Sequence, residues 1–140
     1  SRDISYENTT QNAAHNFKST IYNLVNSFQS EVLKPVIIGN EEDLWWQVSP
    51  KVKEEIVIIL QELLVNMKKH SHCSIVSIGF KSNKKAIEIN YSDNGIGCAN
   101  LLNLKNGLQN VETRIFSING TINFDTEPEK GFKVKIMIPK

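Results

Sequence analysis

Cysteine is scarce in this chain of 140 residues: Cys73 and Cys98 are the only two, and they stand in no metal-ligand spacing. That excludes a disulfide-framed scaffold or a zinc module and favours a reduced, cytosolic setting. Charge of one sign is also lacking. Sixteen Lys and Arg against fifteen Asp and Glu leave a formal net charge of +1, so no global field draws the chain to nucleic acid or an anionic membrane. No apolar run reaches the length that crosses a bilayer, and no signal peptide, repeat or low-complexity tract is present. What is there is ordinary: 40% hydrophobic and 22% charged residues, enough for one compact domain and too few for two. The chain opens on Ser1 rather than methionine, and is read as a piece of something longer.

From Ala14 to Gln29, Phe17, Ile21, Leu24, Val25 and Phe28 recur at three- and four-residue spacing, which predicts an amphipathic helix. Residues 1–13 before it are polar and read as a loosely held lead-in to a domain over 14–140. "KPVIIGN" reads as a short buried strand, and "SPKVKEE" as a serine cap, a proline at the first helical position and early glutamates. A second helix is expected from Pro50 to about Lys69. Then Val76, Ile78 and Phe80 alternate with small or polar residues, as do Ile87, Ile89 and Tyr91, with "KSNKK" as the turn. Ile122 and Phe124, then Phe132, Val134, Ile136 and Ile138, predict a second hairpin. Between the hairpins, Leu108, Val111, Ile115 and Ile118 have helical spacing. Strands with one polar face call for helices on one side only, hence a two-layer α/β sandwich.

On the second helix, Glu54, Gln61 and Lys68 form one polar line. Glu62, Asn66 and Lys69 form another, roughly 100° away around the axis. The second line is either a broad solvent face or a carboxylate, a carboxamide and an ammonium aimed into a cavity, a set able to hold a metal through oxygen and a polyphosphate through the lysine. The stretch "INYSDNGIGCAN" raises a sharper question. Ile87, Ile89, Tyr91 and Asp93 share one face by parity, so Asp93 should point into the core, where a carboxylate requires donors. The alternative is that Asp-Asn-Gly begins a turn. Gly95 and Gly97 are turn glycines in that case, or let the backbone approach a ligand. Gly107 opens a helix whose free amides suit a phosphate.

In this order, "ELLVNMKKHS" resembles the asparagine box, "DNGIG" the first glycine box and "NGLQNVETRI" the second glycine box of sensor histidine kinases. Their superfamily also holds DNA gyrase and the heat-shock chaperone ATPases. "KHS" and "GLQNVETR" resemble the nitrate-sensor and lipid-desaturase-sensor branch. The resemblance runs from about residue 15 to the end and implies a Bergerat-type ATP-binding fold, with a mixed, mostly antiparallel sheet. It implies ATP and Mg2+ as cofactors. Asp93 would accept from the adenine amine, with Gly95, Ile96 and Gly97 beside the base. Asn66 would hold magnesium, Glu62 would orient or deprotonate near the reacting phosphate, and Lys69 and His70 would meet phosphate or ribose. Asn106, Gly107 and Leu108 would close the far end, below a lid, "CANLLNLKN", whose Leu101 packs down.

Two positions depart from the family pattern. Lys105 stands where a glycine is usual, and Phe132 where a threonine usually follows the glycine near the adenine. His15 lacks the acidic neighbour of a phosphate-accepting histidine. The resemblance therefore implies a catalytic domain that phosphorylates a histidine on a dimerisation and phosphotransfer domain of the parent chain. A response regulator would follow downstream, and the fragment would be cytoplasmic in a membrane-anchored parent, without membrane or nucleic-acid contact of its own. An anti-sigma-type serine kinase and a nucleotide-binding module without turnover share the same boxes. His70 and His72 otherwise suit a helix C-terminus. Trp45 and Trp46 read as packing a loop against the body, not as a base-stacking platform.

Overall fold

The computed structural model describes residues 6–70, 73–95, 108–126 and 131–140. The chain runs α1 (Tyr6–Asn26), β1 (Lys34–Ile38), α2 (Glu42–Trp45), α3 (Pro50–His70), β2 (Ile75–Ser82), β3 (Ala86–Asp93), α4 (Gln109–Ser117), β4 (Thr121–Thr126) and β5 (Phe132–Pro139). The strands form one sheet in the order β1-β2-β3-β5-β4. Among the described strands, the β1–β2 pairing is parallel and the other three are antiparallel. The α/β sandwich expected from strand parity is what forms, with the mixed, mostly antiparallel sheet that the resemblance implies.

Parity is kept along the central strands. Val76, Ile78 and Phe80 of β2, Ile87, Ile89 and Tyr91 of β3, and Val134, Ile136 and Ile138 of β5 are all buried. They form one core with Ile56, Ile59, Leu60, Leu63 and Leu64 of α3. Residues between them on the strands are half-buried or exposed, and there Glu88 meets Lys135 at 3.2 Å and accepts from Asn90 Nδ2 at 2.7 Å. Burying the central strand on both sequence neighbours' inner faces fixes the register, because a slip of one residue would turn every apolar side chain outward.

Several elements differ from the expectation. Helix α1 begins at Tyr6, through the polar segment read as a lead-in, and ends at Asn26, short of Gln29. Extending a formed helix costs far less than nucleating one, so polar residues join it without an apolar signal. The strand read as buried is an edge: Ile38 is 58% exposed because only β2 flanks it. The serine cap of α3 is present, Val52 N–H donating to Ser49 Oγ at 3.2 Å, but its first turn holds no acid. Trp45 is wholly buried in the short helix α2, its indole N–H donating to Asn40 Oδ1 at 2.7 Å, with Phe17 and Phe80 against its ring. Trp46, expected to pack beside it, is 47% exposed.

Candidate functional site

Strand β3 carries its pleat to its last residue, and Asp93 is therefore buried on the core face at 6% exposure. Both carboxylate oxygens have donors: Tyr91 O–H to Oδ2 at 2.7 Å and Gly95 N–H to Oδ1 at 3.0 Å. Asp93 thus remains in the strand, and the turn begins one residue later. Asn94 starts that turn and staples it to β2. Its Oδ1 accepts from the Ser74 and Ile75 amides, each at 2.9 Å, while its Nδ2 donates to Ser74 Oγ at 2.9 Å. The strand end bearing Asp93 is held from two sides.

The neighbouring strand approaches just as closely. Phe132 pairs with Asp93 across β3–β5, is buried, and sets its ring 5.9 Å from that of Tyr91 and 6.1 Å from that of Phe124. It fills core. Gly131 before it has φ +84°, and a Cβ there would overlap the Asp93 carbonyl oxygen. Only glycine combines that dihedral with that approach. Sequence reasoning missed Tyr91, Asn94 and Gly131; the Gly-Phe step in "EKGF" was visible, but its meaning depends on the register.

The two polar lines of α3 are unequal. Glu54, Gln61 and Lys68 are exposed, whereas Glu62 and Asn66 are half-buried and only Lys69 of the second line is exposed. Glu62 borders a cavity of about 480 Å³ between α3 and α4, with Glu55 beneath it and Asn110, Thr113 and Arg114 across it. Glu55 is buried and ties the helices together: Arg114 Nη1 lies 3.1 Å from one of its oxygens and Lys51 Nζ 3.1 Å from the other. Burial alone would raise its carboxyl, but the Arg114 and Lys51 hydrogen bonds and charges outweigh it and hold the group below its ordinary value. Leu108, expected at the phosphate end, is wholly buried in the core and anchors the start of α4, where its carbonyl accepts from Glu112 N–H at 3.0 Å.

The expected site residues fall into two groups here: Asp93 and Gly95 at the strand end, and Glu62 and Asn66 on the half-buried side of α3. Helix α3 ends at His70, whose side chain is outside the described part, as are Ile96, Gly97, Leu101, Asn106 and Gly107 and the rest of the lid. Glu62 and Asn66 stand one turn apart with hard oxygen donors, which fits magnesium, an ion that takes one or two protein ligands and completes its shell with water and phosphate. No group of three His, Cys, Asp or Glu able to hold a metal occurs among the described residues. None of the described helices is long and apolar enough to cross a membrane.

No family model matches the chain. It is 33% identical over 84 residues to the sensor histidine kinase ComP of Bacillus subtilis (strain 168), a match covering 57% of this chain and 11% of that protein. Among solved structures, the histidine kinase domain of a blue-light-activated histidine kinase from Erythrobacter litoralis aligns at TM-score 0.71 and 15% identity, over 93% of this chain and 60% of that one. The histidine kinase AdeS of Acinetobacter baumannii aligns at TM-score 0.67 and 18% identity, over 94% of this chain and 74% of that one. The five-stranded sheet with its helices is the fold of these histidine kinase structures, and homology to a sensor histidine kinase is carried by the 84-residue match.

Proposed function

We propose that this chain is the ATP-binding catalytic domain of a two-component sensor histidine kinase, of the nitrate-sensor and lipid-desaturase-sensor branch. It would donate the γ-phosphoryl group of Mg-ATP to a histidine on the dimerisation domain of its parent chain, for onward transfer to a response regulator. The observation that carries this reading is the buried carboxylate of Asp93, fixed at the end of a core strand with one donor on each oxygen among the described residues. An adenine amine is a donor of the right kind for it. The homology to ComP supports the same assignment.

In this reading Asp93 selects the base and Gly95 lets it approach, with Ile96 and Gly97 following. Asn66 holds Mg2+ through its carboxamide oxygen, and Lys69 and His70 meet phosphate or ribose. Mg2+, when bound, would supply charge neutralisation to the phosphates. Glu62 orients the incoming imidazole or takes its proton. Asn106, Gly107 and the backbone of Leu108 close the phosphate end at the start of α4, with Leu101 in the lid above. Rate enhancement then comes from placement and electrostatics, without a covalent intermediate on this domain. The test is incubation of the chain with ATP, magnesium and the parent's helical hairpin, followed by assay for acid-labile phosphate. Phosphohistidine on the hairpin is expected; bound ATP with no phosphohistidine would overturn the kinase assignment.

A further inference from the structure

Asp93 stands between two apolar neighbours, Val76 opposite it on β2 and Phe132 opposite it on β5, both buried. Neither side chain offers a donor. The described donors come from its own stretch of chain, the Tyr91 hydroxyl on Oδ2 and the Gly95 amide on Oδ1. Tyr91 reaches the carboxylate because residues two apart on a strand share a face. Its ring is itself held, buried and edge-on to Phe132 at 61°. Burial, the Asp93 charge and the hydrogen bond push the phenol far above its ordinary value, so it keeps the proton it donates to Asp93.

Each carboxylate oxygen has about two acceptor positions. With one donor on each oxygen among the described residues, the carboxylate cannot rotate without losing a hydrogen bond inside the core, and its orientation is fixed. We propose that Tyr91 is a specificity-determining positioning residue. Its hydroxyl, together with the Gly95 amide, locks Asp93 in the orientation that selects a base bearing an exocyclic amine. This rests on the reading of Asp93 as the adenine acceptor.

Calorimetric titration of the chain and of Tyr91→Phe with ADP and with purine riboside 5′-diphosphate, which lacks the amine, tests this. The wild type should prefer ADP. In Tyr91→Phe that preference should shrink about tenfold, as loss of one hydrogen bond to a charged group implies, while affinity for the amine-free nucleotide stays unchanged; the melting temperature should fall, because a buried carboxylate loses a donor, so both titrations are run well below it. An undiminished preference for ADP, or an equal fall for both nucleotides, overturns the role of Tyr91 while leaving the nucleotide site standing. A wild type that binds ADP no better than the amine-free nucleotide, or binds neither, overturns the reading of Asp93 as well.

Discussion

Asparagine is nearly the same shape as aspartate, and at position 93 its carboxamide could keep both local contacts. Its oxygen would still accept from Gly95 N–H, and its nitrogen could donate to the Tyr91 hydroxyl oxygen, which the phenol allows by turning its hydrogen away. The fold should therefore survive Asp93→Asn while the charged acceptor for an amine is lost. ADP affinity is expected to fall about tenfold to a hundredfold, since a hydrogen bond to a charged group is worth roughly 1.5–3 kcal/mol. Calorimetry reads this directly, and an unchanged affinity would remove Asp93 from base recognition. At this scale parity in the sequence located the carboxylate but not its partners. Tyr91 shares its face by the same rule, yet whether a phenol reaches a neighbouring oxygen depends on the packing of Phe132 from another strand. Gly131 was opaque for the same reason: its φ of +84° and its contact with the Asp93 backbone exist only once β5 is paired with β3.

Helices α3 and α4 are joined by a charge contact between residues far apart in sequence, Glu55 and Arg114, with Lys51 on the second oxygen. Because Glu55 is held below its ordinary carboxyl value, its contribution is full above the usual carboxylate value near 4.5 and is lost as pH falls through the lowered folded-state value. Arg114→Ala removes one of its two cations and leaves a buried carboxylate under-compensated. A loss of about 1–3 kcal/mol in urea unfolding is expected near neutral pH, shrinking as the pH is lowered past the carboxylate range, where the folded chain takes up the proton as well. A loss of the same size in acid would mean that packing of the Arg114 stem, not its charge, ties the helices. The elements themselves were largely legible: period-two alternation marked the central strands and period-3.6 spacing marked α3 and α4. The misses were elements whose signal lies elsewhere. The polar start of α1 carries no apolar period, α2 is too short to show one, and the apolar run of β1 looks buried until its place at the sheet edge is known.

At the scale of the molecule, the described residues share one core across α1, α3, α4 and the sheet, and Tyr91 and Phe132 belong to it while touching or facing Asp93. A ligand seated on Asp93 therefore leans on the same packing that holds the chain folded, and its binding energy should appear as stability of the whole domain in a single transition. At a hundred times its dissociation constant, ADP should add about 2.7 kcal/mol, which for a chain of 140 residues raises the melting temperature by about 10 °C. Magnesium should enlarge that shift in the wild type. In Asn66→Ala, where the carboxamide oxygen one turn from Glu62 is gone, ADP alone should still stabilise the domain but magnesium should add nothing further. Scanning calorimetry with and without magnesium separates the proposed metal role of Asn66 from the proposed base contact of Asp93. An increment from magnesium that persists in Asn66→Ala would move the metal to other ligands, whereas loss of the ADP shift itself would mean that α3 shapes the base pocket as well as the phosphate end.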